Sequence, residues 1–236
     1  MFTKKTNTTE GHVNTHEIRN NFEYEIKYLK KYFVLNNISV ESHKQELERS
    51  LLLEIELDPS KESTLNDFYQ KEIQLITSYY YHTSIVLVYT VLENTLTKIC
   101  SQIQIDTNNL FSVNLLGSRD NIGKTKNYLE LTTRLEFKKI ERIWPRIGQF
   151  QKLRNIIVHQ NSTFKDESDA TKLKNMFKNI VLSTNNKDFF ISNHTLIDEF
   201  IIKMEKLVKV ILEDIESKMF EINPRENIDQ TNDLPF

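Results

Sequence analysis

Helix breakers are scarce in this chain: its 236 residues include only four Gly and four Pro. In a helix interior glycine costs about 1 kcal/mol and proline about 3 kcal/mol relative to alanine, so the scarcity leaves room for long uninterrupted helices. Apolar residues recur at helical spacing over much of the length. In 16–33, Ile18, Phe22, Ile26, Leu29 and Phe33 fall three or four apart. The polar pair Asn36-Asn37 predicts a break, followed by a second helix over 42–57 that Asp58-Pro59 stops. The longest helix is expected over 63–105, with cap residues from Ser63 to Asp67 and a core stripe of Ile85, Val88, Leu92, Leu96 and Ile99. Residues 106–120 read as a loop, and helices follow over 121–134, 144–159 and 168–178. Trp144-Pro145 fits a helix start, since proline is tolerated in the first turn. Two short apolar runs, 180–183 and 189–192, flank an Asn-rich turn and predict a β-hairpin. The final helix, 195–219, carries Ile197, Phe200, Ile201, Met204, Leu207, Val208, Ile211 and Ile215 on one face. The first ten residues and the tail 223–236 are polar and read as frayed ends.

Charge and cysteine content narrow the function classes. The formal net charge is −2 and the isoelectric point about 6.3. A nucleic-acid coat protein is strongly basic, so any RNA contact here is a local patch. The single cysteine, Cys100, lies in an apolar helical stretch, which rules out an intramolecular disulfide and argues for a small buried hydrophobe rather than a zinc ligand. No other metal-ligand spacing stands out, and no cofactor motif is expected. The Gly-Lys-Thr at 123–125 invites a P-loop reading, but Gly117 stands one residue too far upstream and no strand precedes it. The amino terminus lacks an apolar signal segment, and the longest apolar run, 85–92, is too short to span a bilayer. A cytoplasmic protein without membrane contact is the expectation.

One segment carries chemistry. Residues 151–161 read Gln-Lys-Leu-Arg-Asn-Ile-Ile-Val-His-Gln-Asn, at the carboxyl end of a helix. Asn155 and His159 are four apart and share a face, separated by roughly 40° around the axis. Arg154 and His159 are five apart, roughly 140° around the axis, on different flanks. One helix therefore offers an incomplete set. Two copies facing across a two-fold axis would surround a phosphate with paired Arg, Asn and His side chains. Such a set suits RNA cleavage: imidazoles near neutrality serve as base and acid, and guanidinium groups hold the charge of the phosphorane. Taken alone this is weak evidence, because a helix-end His beside a Gln-Asn-Ser turn is often just a favourable helix terminus.

The string Leu-Arg-Asn-Ile-Ile-Val-His-Gln-Asn resembles the Arg-polar-x3-His form of the HEPN superfamily motif. The lead-in from Trp144-Pro145-Arg146-Ile147 to Phe150 and the upstream helix around Tyr89 to Leu96 resemble that family too, so the likeness covers about 73–159. It implies an all-α fold, an HEPN-like antiparallel helical bundle over 63–222, with which the small β-hairpin before the last helix is consistent; the likeness does not cover the first sixty residues, so 1–62 reads as an N-terminal helical extension and 223–236 as a flexible tail. It further implies a homodimeric, metal-independent endoribonuclease of the toxin–antitoxin or anti-phage kind, with RNA as substrate and an antitoxin or defence-system protein as a possible partner. Arg154 and His159 would be catalytic and Asn155 the polar residue that follows the Arg. The family also holds inactive members that only bind RNA or a partner protein, which is the alternative.

Neighbouring residues read two ways. Glu93, in line with His82, Val86 and Tyr89 on the long helix, can pair with Arg154 or face solvent. His82 can approach the same cleft or be an ordinary helix histidine. Lys138, Arg142 and Arg146 recur every four residues and, with Lys152, form either an RNA-steering patch or a solvated face. The run Tyr79-Tyr80-Tyr81 is either packing or a dimer or base-stacking surface.

Overall fold

The computed structural model describes residues 9–117, 120–160, 162–164, 166–183 and 187–222. Two long helices open it, α1 (His16–Leu57) and α2 (Glu62–Asp106), joined by a single 3-10 turn at Pro59–Lys61. Then come α3 (Asn121–Thr133), α4 (Trp144–Gln160), α5 (Glu167–Met176), the strands β2 (Ile180–Leu182) and β3 (Phe189–Ile191), and α6 (Thr195–Glu216). Strands β2 and β3 form the expected antiparallel hairpin, Ile180 opposite Ile191 and Leu182 opposite Phe189, while its Asn185-Asn186 turn lies outside the described residues. The chain is thus mostly helical, as the breaker-poor sequence implies.

The expected break at Asn36-Asn37 is absent, and α1 runs straight through it. Asn36 donates from Nδ2 to the Tyr32 carbonyl and Ser39 donates from Oγ to the Leu35 carbonyl, so these polar side chains bond back onto the helix instead of stopping it. The first residues are not all frayed either. Strand β1 (Thr9–Gly11) pairs antiparallel with β4 (Phe220–Ile222) and ties the two ends of the described chain together. Strands this short carry almost no alternation signal in sequence. The expected tail, 223–236, lies outside the described residues.

Helix α2 is the axis of the body. From Tyr81 to Ile103 it buries side chains on most of its circumference, including Ile85, Val88, Leu92, Leu96 and Ile99. Helices α1, α3, α4 and α6 pack around it, the arrangement demanded by a helix apolar on several sides. Cys100 is buried there, its Sγ–H directed to the Thr125 carbonyl, and burial pushes the thiol up to about 12. Phe150 of α4 stacks on Phe200 of α6 with centroids 4.1 Å apart and planes within 3°. The first half of α1 belongs to the same core through Phe22, Ile26, Leu29 and Phe33. Residues 1–62 are therefore not wholly an appendage, although the division at 62–63 coincides with the turn between α1 and α2. Among the described residues, no helix is long and apolar enough to cross a membrane.

Candidate functional site

Helix α4 presents two faces. Ile147, Phe150 and Leu153 are buried against α2 and α6, which fixes the helix about its own axis. Lys152, Asn155, Val158 and His159 consequently face outward. Helical geometry is unbroken from Trp144 to Gln160, so the roughly 140° between Arg154 and His159 holds in the folded chain. These residues of one chain do not converge on a closed site.

Arg154 sits on the edge between the faces. Its Cζ lies 5.2 Å from the centroid of the Tyr89 ring, a cation–π contact that holds the guanidinium against α2. Its Nη1 donates to Asn155 Oδ1 at 3.1 Å, while Nε is buried without a partner. Tyr89 is buried, and burial first, then the charge of Glu93, raises its phenol far above the ordinary range; Arg154 opposes that rise. Glu93 therefore stands in the same neighbourhood, but among the described residues no ion pair joins it to Arg154. The expected support from Glu93 is replaced by the aromatic face of Tyr89, one helical turn earlier. In sequence Tyr89 stands in line with Glu93, and that spacing alone does not announce this role.

His159 occupies the last turn of α4, exposed, and no hydrogen bond or ion pair engages it among the described residues. The turn beyond it is anchored. Ser162, with φ of 60°, donates its N–H to the Ile156 carbonyl and accepts from the Phe189 N–H through its own carbonyl. Its hydroxyl lies 3.0 Å from His82 Nδ1 on α2. His82 also contacts Ser78 Oγ at 3.3 Å and packs its ring 5.0 Å from Phe189. Burial lowers this imidazole from 6.5 to about 4, so it is neutral near pH 7. His82 thus lies beneath the turn that follows His159 and binds that turn to α2, rather than opening toward solvent.

The four basic residues expected to steer RNA separate. Arg146 is committed inward. Nε and Nη2 grip the Glu199 carboxylate at 2.6 Å each, Nη1 donates to Gln149 Oε1 and to the Met176 carbonyl, and the guanidinium packs 4.5 Å from the Phe177 ring centroid. Its donors are consumed in joining α4, α5 and α6, which corrects its assignment as an RNA contact. Lys138, Arg142 and Lys152 are exposed, and no ion pair holds them among the described residues. The four-residue recurrence of 138, 142 and 146 forms no helical stripe, because 137–143 is a 3-10 turn and further turns before α4 begins. Of the tyrosine run, Tyr81 is buried and Tyr80 donates its hydroxyl to the Phe33 carbonyl at 2.8 Å, while Tyr79 is exposed. Packing accounts for two of the three.

Among the described residues, no three His, Cys, Asp or Glu side chains converge as a metal-binding group. Set against protein-family models, curated proteins and solved structures, the chain matches none.

Proposed function

We propose that this chain is a metal-independent endoribonuclease of the HEPN kind, acting as a homodimer on RNA, in a toxin or anti-phage role. One observation carries the reading: a single regular helix holds a half-buried Arg154 locked to Asn155 and, at its end, an exposed and unengaged His159. A surface arginine would be free to swing. This one is fixed by Tyr89 and Asn155, and its Nη2 engages no partner among the described residues, as suits a group that waits for an anion.

In the proposed reaction one His159 takes the proton of a ribose 2′-OH, and the 2′ oxygen attacks the adjacent phosphorus. The bond to the 5′ oxygen breaks, and the second His159, protonated, gives that oxygen its proton. The products are a 2′,3′-cyclic phosphate and a 5′-OH. Arg154 from each copy faces the non-bridging oxygens, where charge accumulates. The incompleteness of one protomer, set by the angular separation on α4, is the reason for invoking a second.

Incubating the protein with mixed RNAs in EDTA, beside Arg154→Ala and His159→Ala, tests this. Wild type is expected to cut, and each variant to lose activity by about 100-fold or more. RNA binding without cleavage, indifferent to both substitutions, would overturn it in favour of an inactive module. An arm of α1 and α2 that exposes Leu52, Leu53, Leu57 and Phe68 favours that second reading, in which a partner protein covers those side chains.

A further inference from the structure

Gly148 is the outlier among the glycines. A Cβ at Gly123 would strike the Asp120 carboxylate at 2.8 Å, and one at Gly11 would meet Ile222 at 2.6 Å, so packing explains both. Gly117 lies in a loop, where glycine carries no helical penalty. Gly148 is different. It sits inside α4, its φ is not positive, and a Cβ there meets nothing within 4 Å. Glycine in a helix interior costs about 1 kcal/mol relative to alanine. Neither the backbone nor the packing of this chain requires it, and the space above Gly148 is open.

That space is a trough of about 590 Å³ running along α4 from Pro145 to Asn155, with Asp120 and Met176 on its walls. It adjoins Arg154 through Asn155. Gln151 also lines it and is engaged by the Tyr89 hydroxyl, while two other amides on its floor are oriented alike. Gln149 turns Oε1 to the Arg146 guanidinium at 2.6 Å, and Asn155 turns Oδ1 to Arg154 at 3.1 Å. A guanidinium can only donate, so these contacts fix both amides and leave their NH2 groups for a ligand. Lys152, also lining the trough, adds an ammonium. Three donors on one helix face call for a ligand edge bearing acceptors. The Asp120 carboxylate disfavours a bare phosphate. Pro145 and the Met176 thioether offer the flat apolar contact that an aromatic ring accepts.

We infer that the trough over Gly148 is a nucleobase pocket that seats guanine beside the scissile phosphate, an inference resting on the RNA-cleaving assignment of Arg154 and His159. Guanine places two acceptors, O6 and N7, on one edge, whereas adenine puts an amino donor beside N7. The donor-lined floor therefore selects guanine over adenine.

The single tryptophan, Trp144, is adjacent in sequence to Pro145 and reports on binding by its fluorescence. Titrating the full chain with 5′-GMP and 5′-AMP should give saturable quenching, with GMP binding about 10-fold tighter or more, roughly one good hydrogen-bonding edge. Gly148→Leu, which fills the trough from a position with no internal clash, should weaken GMP binding about 10-fold or more while circular dichroism and Tm match or exceed wild type. Gly148→Ala should raise Tm and retain most binding. Equal binding of the two nucleotides, no binding, or GMP binding that Gly148→Leu leaves intact each overturns the pocket. So does a loss of dimer mass in sedimentation when Gly148→Leu is introduced without any nucleotide binding, which would give the trough to a second copy. Because mononucleotide binding needs no cleavage, a chain that binds GMP but leaves RNA intact in EDTA sinks the nuclease reading and spares the pocket; the reverse result does the opposite.

Discussion

The two halves of α2 have different neighbours. From Tyr81 onward the helix is enclosed, and Ile85, Val88, Leu92, Leu96 and Ile103 are fully buried. Before that, residues 62–76 have α1 as their companion. Over 39–76, roughly 30 Å of paired helix, the buried apolar side chains are Leu51 and Tyr69, and neither joins the main core. The hydrogen bonds and ion pairs described for this stretch stay within the two helices and their turn, among them Lys44–Glu41 and Lys61–Asp58. Surface pairs of that kind contribute between nothing and about 1 kcal/mol. Helical pattern alone does not separate the halves. What separates them is how many other elements each can bury against, and stability should follow that division.

The largest effect belongs to the enclosed half. Phe200→Ala removes a ring stacked on Phe150 and fully buried between α4 and α6. It should cost about 3–5 kcal/mol, read as a fall in the urea midpoint. Leu51→Ala, in the arm, should cost about 2 kcal/mol at most, because the gap opens to solvent and can collapse. Equal losses from the two substitutions would break the comparison and make body and arm one cooperative unit.

Acid sharpens it next. His82 is neutral in the folded chain with its imidazole lowered to about 4, whereas the unfolded chain titrates near 6.5. Between those values the unfolded state binds more protons, so stability falls as pH drops from 6.5 toward 4. The full loss is about 3 kcal/mol. His82→Gln should flatten that slope in denaturation curves taken across the window. Asp214 acts further down. Burial alone would raise its carboxyl, but hydrogen bonds from Lys139 and Lys218 more than offset this and hold it below the ordinary range. Its contribution is present above the ordinary carboxylate range and is lost as pH falls through the depressed value, and Asp214→Asn should remove that lowest acid limb. Both groups lie in the body. A hydrogen-exchange map should therefore show the body loosening with acid more than the arm.

Much of this architecture was legible in the residue pattern, for a physical reason. The apolar faces of α4 and α6 each meet one continuous core, so Ile147, Phe150 and Leu153 or Phe200, Met204 and Leu207 announce their helices through periodicity. Pairing between distant segments leaves no such trace. The β1–β4 ladder joins residues more than 200 apart, and its three-residue strands show no alternation. Asn36 reads two ways in sequence because an Asn side chain can end a helix or bond back to it, as it does here onto the Tyr32 carbonyl. At the site, the spacing of Arg154, Asn155 and His159 already fixed their relative directions. It did not reveal that Tyr89 would hold the guanidinium, that His82 would reach Ser162, or that Glu199 would claim Arg146. Those are contacts between elements, and a positive charge in a list of basic residues reads the same whether it faces RNA or a glutamate.

The smallest expected effect probes the arm alone. The Tyr69 hydroxyl donates to Glu54 Oε1 at 2.8 Å, across the hairpin, and that hydrogen bond raises the phenol from its ordinary 10.0. Tyr69→Phe keeps the buried ring and deletes only this link. If the arm is a separate, weakly held unit, the urea midpoint should stay where it is, and faster amide exchange should be confined to the turns of α1 and α2 around Glu54 and Tyr69. A midpoint that falls with the body's own transition would mean that the arm is coupled through α2 to the core, and the boundary near Tyr81 would lose its meaning. The same measurement bears on the exposed Leu52, Leu53 and Phe68: a loosely held arm can adapt those side chains to a partner surface without disturbing the helix that carries Arg154.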